Sequence, residues 1–557
     1  MRGVIITLNR KSKNNTGITL VALVITIIIL LILATISIQS LTNTGLFQKA
    51  NEAKEKTKNA VENQAKMLNE YEDELNKYVS GNVKKLQADG SWNATKKVNS
   101  PQLMDGMTGV YWDKSGKETE VNADNQDNWY DYSKQEWANA VTKDSNGNIT
   151  AYWVWIPRYA YKIESGRYTS TAGKISVKFL QGTTNKDENN TKISQNYPET
   201  TGATMSTYVV HPSFTDGSEN GKNNHYMNGE WDKEIPGYWV AKYTAGFQEC
   251  TQTVSSDGTV TEPTINTANV KYSDKNYTSY YTSYTTNAID QNLTSSEYAS
   301  QKLSYPVFKS LTYAYNNIST GDCYTISQEI AKANSFYGLN SDKTDSHQMK
   351  NSEWGAVAYL TQSSYGRNGT EVTINAQNLN NLNSKFIYAV TGYANTTAND
   401  ITASSTNNKS GIFDLSGCVW EYVTVYISNG NPNIDAYGKS YANTTANANV
   451  DQILSTKYST VYPYNSSNDS SANNYSLYLN KKSTTYGFGN AILEVSSSGE
   501  NSTSWNEDSS YFIGAKCPFL ARGNSYKNYI NAGIFAFGRS YGVPAYDSGF
   551  RSVLIAK

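Results

Sequence analysis

The chain has few of the residues that most often carry catalysis or bind metals. Its 557 residues include three histidines and four cysteines, and no two cysteines form a CxxC pair. So few histidines leave little choice for a general acid or base. Structural zinc sites use closely spaced Cys or Cys/His pairs, so their absence disfavours such a site. For the four cysteines, both one or two disulfides and free thiols stay open.

The chain also has no excess of positive or of negative side chains. The chain has 48 basic and 49 acidic side chains, which together make up 17% of its residues. A nucleic-acid-binding surface would need a clear basic excess, so the sequence predicts no nucleic-acid partner. Proline is scarce at 11 residues, whereas tyrosine is frequent at 44. Two explanations of this composition stay open: a β-rich extracellular protein, or the codon bias of an AT-rich genome.

The N-terminus has the pattern of an export signal. Residues 1–17 carry four basic and no acidic side chains, and an uncharged apolar run extends from Ile18 to Ile38. That run is long enough to span a bilayer, with the basic flank in the cytoplasm and the rest of the chain exported. A plain signal anchor is the alternative. An ordinary cleaved signal peptide fits less well, because Gly17 precedes the apolar run instead of following it.

The block that begins at Gly17 and reads GITLVALVIT resembles the cleavage site of type IV prepilins from Gram-positive-type bacteria. The resemblance implies that a prepilin peptidase cuts after Gly17 and that Ile18 becomes the first mature residue. It also implies storage in the membrane, then assembly with other pilin subunits on the cell surface. One departure is Ala22, which stands where the family usually has Glu. Two explanations of the missing Glu stay open. The chain is a minor or tip subunit, or pilins of this lineage commonly lack that Glu.

We expect a long helix after the leader, because small and apolar residues recur at three- and four-residue steps as far as Tyr78, and Ser80-Gly81 is a natural stop. The fold class predicted from the sequence is α+β, with this helix followed by a β-rich head. Within the head, the sequence predicts a strand region at 152–163 and helices at 311–317 and 352–360. The predicted divisions are a leader at 1–17, the pilin helix at 18–80, a β-rich connecting region at 81–234 and a final domain at 235–557.

Three segments of the final domain occur in a recognisable order. They are HQMKNSEWGAVAY at 347–359, GIFDLSGCVWEY at 411–422, and LARGNSY at 520–526 with SGFR at 548–551. Together they resemble the formylglycine-generating-enzyme domain, a variant of the C-type lectin fold. Enzymes of that family use a Cys pair just after the third motif begins, but residues 527–533 contain no cysteine. Without thiolates there is no copper ligand and no redox nucleophile, so we expect no enzyme and no redox or organic cofactor.

The second motif resembles a calcium turn of the same family. Carried over residue by residue, the resemblance implies side-chain ligands at Asp414 and Glu421 and backbone carbonyls at Gly417 and Val419. Hard oxygen ligands on a tight turn suit calcium. A metal-free turn, in which Asp414 accepts from backbone amides, is the alternative.

The last segment, residues 522–551, resembles the variable region of proteins diversified by a retroelement that mutates template adenines. Every residue from 538 to 547 can arise from an Asn codon by changes at adenines, and so can every residue from 524 to 531 except Lys527. Tyrosine with small polar residues is the mixture that antibody loops use. The expected ligand-binding residues are Asn524, Tyr526, Asn528, Tyr529, Asn531, Gly538, Arg539, Ser540, Tyr541, Val543, Pro544, Ala545, Tyr546 and Asp547. The sequence therefore predicts a pilus-like subunit that displays a lectin-fold surface to an unknown protein or glycan. A structural pilin without a ligand and a formylglycine-generating-type enzyme are the alternatives.

Overall fold

A computed structural model describes most of the chain after residue 84. The described residues are 24–28, 54, 56–58, 60–61, 63–64, 66–68, 85–198, 202–217, 226–251, 253–254, 260–261, 305–316, 318–376, 378–380, 387–395, 397–448, 454–480, 487–527 and 530–557. They fall into two units, residues 1–84 and 85–557, which are taken separately below.

The second unit is built mainly from short strands. In its first half these are β1 Trp92–Asn93, β2 Val98–Asn99, β3 Met107–Trp112, β4 Glu118–Glu120, β5 Asn139–Lys143, β6 Ile149–Pro157, β7 Tyr159–Ile163, β8 Ile175–Phe179, β9 Val209–Val210, β10 Gly237–Ala241, β11 Gly246–Thr251, β12 Thr253–Val254, β13 Val260–Thr261, β14 Pro306–Val307 and β15 Thr312–Ala314. In its second half they are β16 Thr344–Gln348, β17 Asn378–Asn380, β18 Ile387–Ala389, β19 Tyr393–Ala394, β20 Thr397–Ala398, β21 Trp420–Ile427, β22 Thr460–Tyr462, β23 Ser502–Thr503, β24 Ser509–Ser510, β25 Phe519–Arg522, β26 Phe537–Ser540, β27 Ser548–Phe550 and β28 Ser552–Ala556.

The helices of this unit are few and short. The α-helices are α1 Thr320–Glu329, α2 Asn334–Tyr337, α3 Asn351–Gln362 and α4 Ser471–Asn480. Single turns of 3₁₀-helix lie at Gln126–Asn128, Tyr132–Lys134, Pro212–Phe214, Ile330–Lys332, Ile401–Ala403, Leu493–Val495 and Trp505–Glu507, and a π-helical turn lies at Ile434–Gly438.

The predicted α+β fold class with a long N-terminal helix is wrong. Within the part of the chain that the structure describes, strands dominate and the longest α-helix of the second unit is the 12-residue α3. In the first unit the described residues are helical, at 24–28 and at separate positions from 54 to 68, but they do not make up one long helix. Most of residues 18–80, with Gly17 and Ile18, lies outside the described residues. The helices described are neither long nor apolar enough to cross a membrane. The excess of strands has a physical reason, since Tyr, Thr and Val favour the half-buried surface of a sheet.

One of the two large sheets of the second unit has seven strands, all antiparallel to their neighbours. Its strand order is β16-β28-β10-β6-β5-β3-β4. The sheet joins strands on both sides of position 235, because β6 pairs with β10, and β10 pairs with the C-terminal strand β28. All the residues of β10 are buried, so this strand lies at the centre of the sheet and of the core.

The second large sheet contains strands β25, β26 and β27, which precede the final strand. Its order is β22-β21-β25-β26-β24-β23, and β27 pairs with β21 in parallel. The chain then crosses at Arg551 from β27 in this sheet to β28 in the first sheet. Large aromatic side chains fill the core, including Trp153, Trp155 and Trp239, whose burial supplies much of the stabilisation.

Helix α3 packs in the core at every turn, and all twelve of its residues are buried. Its first turn is capped by Glu353, whose carboxylate accepts from the backbone N–H of Lys350 at 2.8 Å. The sequence-predicted helix at 352–360 is thus confirmed. The predicted helix at 311–317 is wrong, because its described part contains strand β15.

Candidate functional site

The three motif segments lie against one another in the core. The indole N–H of Trp354 donates to the carbonyl of Ile534 at 2.8 Å, which joins the first segment to the third. The side-chain amide of Gln348 donates to the carbonyl of Tyr422 at 2.7 Å, which joins the first to the second. These are buried hydrogen bonds between segments that are far apart in sequence, so they fix the base on which the C-terminal segment rests.

Arg551 links the second and third segments at the junction of the two sheets. Its Nη2 and Nε atoms donate to the two carboxylate oxygens of Glu421 at 2.7 and 3.0 Å. The same guanidinium donates to the carbonyls of Ala241 and Phe413 at 2.7 and 2.8 Å. Both partners of the ion pair are buried. A bidentate pair with its remaining donors satisfied positions the chain as it leaves one sheet for the other.

Arg522 is buried too, but its partners are uncharged. It donates to the carbonyl of Ala491 at 3.0 Å and to the side-chain oxygen of Asn351 at 3.2 Å. Burial lowers the pKa of Arg522 to about 9. Of these two buried arginines, Arg551 pairs with a carboxylate, whereas the described hydrogen-bond partners of Arg522 are amide and carbonyl oxygens.

The carboxylates of the predicted calcium turn already have protein donors. Asp414 accepts through Oδ1 from the Asn375 amide and from the Gly392 backbone N–H, both at 2.8 Å. Glu421 accepts from Arg551 and from the hydroxyl of Thr244. With a guanidinium against Glu421, these oxygens do not fit a calcium ion, which needs several free hard ligands.

The backbone of the calcium turn is nevertheless tight. Asp414, Gly417 and Cys418 all have positive φ, at 61°, 81° and 60°. Gly417 and Val419 are buried, and no group of three acidic, His or Cys side chains among the described residues is placed to hold a metal. Burial raises the pKa of Asp414 to about 6, and Arg551 opposes that shift. The arrangement is that of the metal-free alternative, in which Asp414 accepts from amides.

The C-terminal segment has a buried base. Strand β26 lies between β25 and β24, so that it is paired on both sides. Gly538, Gly542 and Pro544 are buried. A Cβ atom at Gly538 would lie 2.7 Å from the Trp420 ring, and one at Gly542 would lie 2.5 Å from the Phe519 ring. These three predicted binding positions therefore serve the packing of the segment.

Two more predicted binding residues are buried, and two cannot be placed. Asn524 is 1% exposed, has a φ of 62°, and donates to the carbonyl of Asn531 at 3.1 Å. Tyr526 is also 1% exposed and packs with Ala314, Cys418 and Val419. Asn528 and Tyr529 lie outside the described residues.

The exposed part of the segment contains unusual apolar side chains. Tyr541 is 48% exposed and Ile530 is 84% exposed. Among the described residues after 84, the large hydrophobic side chains that are exposed are these two and Ile401, at 38%. Tyr541 is the one aromatic residue of this group. In a protein whose other described aromatics are buried or partly buried, that exposure marks a candidate contact surface.

The C-terminal segment also contains two basic side chains that lie against tyrosine rings. The exposed Arg539 lies 4.0 Å from the Tyr511 ring centre and donates to the hydroxyl of Ser471 at 3.0 Å. The Lys527 ammonium lies 3.6 Å from the Tyr546 ring centre and 3.9 Å from the carboxylate of Asp547. Burial raises the pKa of Asp547, and Lys527 opposes that shift.

The remaining predicted residues line the loop after β26. Ser540, Val543 and Ala545 are partly exposed, and Asn531 is exposed. The hydroxyl of Tyr422 donates to the carbonyl of Val543 at 2.8 Å and lies 3.1 Å from the hydroxyl of Ser540. This buried tyrosine therefore holds both ends of the turn that carries Tyr541.

Sequence reasoning missed three residues of this surface. Lys527 falls outside the set reachable by adenine mutation, yet it covers the Tyr546 ring. Tyr511 lies outside the segment, and only the parallel pairing of Ser510 with Phe537 brings it to Arg539. Ile530 can arise from an Asn codon by changes at adenines, and it lies between Tyr529 and Asn531 in the sequence. That position was the sequence signal that could have identified it.

Three of the four cysteines, Cys323, Cys418 and Cys517, are free and buried. The side chain of Cys250 is outside the described residues. Comparison of the whole chain with protein-family models and with curated proteins finds no match. The functional argument therefore depends on the residues and their geometry.

Proposed function

We propose that this chain is a type IV pilin-like, minor or tip subunit that recognises a protein or glycan at the cell surface. Recognition uses the exposed residues of the C-terminal segment. The observation that carries the proposal is the exposure of Tyr541 and Ile530 in the C-terminal segment, together with the exposed Arg539 on strand β26, which is paired on both sides.

The exposed residues are those that interfaces favour. Tyr and Arg are the common hot-spot residues of protein interfaces, and isolated apolar side chains at a rigid surface lose little entropy on binding. Gly538, Gly542 and Pro544 keep the base of the segment fixed, so the exposed side chains are preorganised. The resemblance of residues 522–551 to the variable region of retroelement-diversified proteins supports the same use.

Export and assembly are supported by the N-terminal sequence. Under this proposal the isolated mature protein begins at Ile18 and is recovered from the cell surface with other pilin subunits. N-terminal mass spectrometry of surface protein tests this. A surface protein that still carries residues 1–17, or a protein confined to the cytosol, contradicts it.

The binding part is tested with cells that display the full chain. Their adhesion is measured on a panel of immobilised glycans and extracellular matrix proteins. We expect Ile530→Ser and Tyr541→Ala each to reduce adhesion about tenfold, since removing a hot-spot side chain costs roughly 1–2 kcal/mol.

Ile401→Ser is the matched control, because Ile401 is an exposed isoleucine outside the C-terminal segment. It should leave adhesion unchanged at equal display. If neither segment variant changes adhesion on any surface that the wild type binds, the proposed site is wrong and a structural pilin is favoured.

Diversification by a retroelement is part of the proposal. Its test is the neighbouring DNA, where we expect a reverse transcriptase gene and a near-copy of the 3′ end that differs at adenines. The variable codons should be those of exposed positions such as 531, 539 and 541. A genome without that near-copy would remove diversification and leave the binding proposal in place.

The enzyme alternative has little support. The described cysteines are buried, and burial raises the pKa values of Cys323, Cys418 and Cys517. A raised pKa disfavours the thiolate that redox or copper chemistry would need.

A further inference from the structure

A buried lysine and a buried asparagine are in direct contact in the first sheet. Lys242 follows β10 and Asn139 begins β5, and both side chains are 1% exposed. Strand β6 lies between β5 and β10. The Nζ atom of Lys242 donates to Oδ1 of Asn139 at 2.7 Å, so the amine lies beside the amide carbon.

The surroundings of Lys242 favour an uncharged amine. Nζ lies 4.3 Å from the centre of the Trp112 ring and 5.8 Å from that of Phe413. Among the residues the structure describes, no carboxylate lies within ion-pair distance of this nitrogen. Burial lowers the pKa of Lys242 well below its usual range, and the charge of Glu118 opposes the shift. A neutral amine has the lone pair that a nucleophile needs.

The amide is held in place by its other hydrogen bonds. Nδ2 of Asn139 donates to the carbonyls of Trp137 and Ser410, at 2.9 and 2.7 Å. The backbone N–H of Lys242 donates to the carbonyl of Tyr152 at 2.9 Å, and its Nζ also donates to the carbonyl of Lys409. Two reacting groups fixed at contact distance gain a large effective concentration.

Glu118 is the carboxylate whose charge acts on the Lys242 amine. It lies opposite Trp112 in the β3–β4 pairing, and the Trp112 ring covers the amine. Its carboxylate accepts from the hydroxyl of Tyr152 at 2.9 Å, which fixes its orientation. An isolated buried lysine needs no such neighbour, whereas amide exchange needs a group that moves a proton to the leaving nitrogen.

We propose that Lys242 and Asn139 react to form an intramolecular isopeptide bond. The Nζ lone pair attacks Cγ of Asn139, and the new Nζ–Cγ bond replaces the Cγ–Nδ2 bond. Glu118 accepts one proton from Nζ and passes it to Nδ2, which leaves as ammonia. The carboxylate ends unchanged, and no oxidant, reductant or co-substrate is consumed.

The bond would tie β5 to β10 across β6. It would also covalently join the predicted connecting region to the predicted lectin-like domain. Because Cys323, Cys418 and Cys517 are free, this cross-link would hold the sheet together where the described cysteines do not. A subunit exposed to pulling forces outside the cell would gain resistance to unfolding, since the cross-link limits the unfolded chain.

Peptide mass mapping of the purified full-length protein tests the bond. We expect trypsin not to cut after Lys242, and the peptide that contains it to be joined to the one that contains Asn139. The joined pair should be lighter than the sum of its parts by one ammonia molecule. Separate, unmodified peptides that end at Lys242 and contain an intact Asn139 would overturn the proposal.

Two glutamate variants test the proton transfer without removing either reacting residue. Glu118→Gln keeps an acceptor for Tyr152 but cannot carry the proton, so the protein should fold and give unlinked peptides. Glu120→Gln is the control, because Glu120 lies on the same strand, is exposed and pairs with Lys143. It should stay linked. Full linkage in both variants would overturn the role given to Glu118.

Discussion

At the scale of single residues, Arg551 is the side chain that we expect to contribute most to the stability of the fold. It compensates the buried charge of Glu421 and ties together two sheets through carbonyls on different segments. Removing one partner of a buried pair leaves the other charge uncompensated. The cost should therefore exceed that of any exposed arginine.

We predict that Arg551→Ala lowers the free energy of unfolding by about 3–5 kcal/mol. Arg539→Ala, at an exposed position, should cost no more than about 0.5 kcal/mol. Denaturant unfolding of both variants measures the difference. Equal losses would show that the ion pair with Glu421 contributes little.

A second residue-scale prediction concerns Asp414 and pH. Burial raises the pKa of Asp414 from 3.8 to about 6 in the folded protein, so the folded state holds this proton more tightly than the unfolded state does. The stability contributed is present below pH 4 and is lost as pH rises through 6. The full effect is about 3 kcal/mol at most.

In Asp414→Asn this proton is absent. The free energy of unfolding of the variant should therefore fall less than that of the wild type between pH 4 and 6. Thermal or denaturant unfolding across that range measures both slopes. Parallel slopes for the two proteins would contradict the raised pKa.

At the scale of elements, the loop after β26 depends on Gly542. Its φ is 78°, and an added Cβ atom would meet the Phe519 ring. Two costs therefore add in Gly542→Ala, one from the left-handed backbone and one from the clash. We predict a loss of about 2–4 kcal/mol in unfolding free energy.

Gly147 separates those two costs. Its φ is 83°, but an added Cβ atom there has no neighbour within 4 Å. Gly147→Ala should therefore cost only about 1 kcal/mol. If both variants lose the same amount, the Phe519 ring moves aside and the loop is less rigid than proposed.

Elements with strong local patterns could be predicted from the sequence. The aromatic and β-branched residues at 152–163 form β6 and β7, and the motif at 352–360 forms α3. Residues 311–317 were wrongly predicted as a helix, because Thr312–Ala314 gain their hydrogen bonds from β11, which is distant in sequence. Such long-range pairing has no local signal.

The candidate site was predictable only in part. Of the residues that the sequence predicts to bind a ligand, Arg539 and Tyr541 are exposed. It could not show that Asn524 and Tyr526 turn inward, because polar and amphipathic side chains are common on both sides of a surface. Nor could it show that Glu421 would be neutralised by Arg551, which follows it by 130 positions.

At the scale of the whole molecule, the C-terminal segment leads directly into the last strand of the first sheet. The segment rests on the second sheet and the final strand β28 lies in the first. A ligand pulling on the segment therefore loads β28 and its partner β10. The proposed bond between Lys242 and Asn139 would pass this load from β10 to β5.

The central claim is that exposed positions of the C-terminal segment meet the ligand while its buried positions hold the fold. Saturation mutagenesis of residues 522–551, read out separately as surface display and as adhesion, tests it most directly. We predict that changes at Ile530, Arg539 and Tyr541 reduce adhesion about tenfold and leave display intact, whereas changes at Gly538 and Gly542 reduce both. If adhesion were lost only where display is lost, the segment would be scaffold alone and the claim would be contradicted.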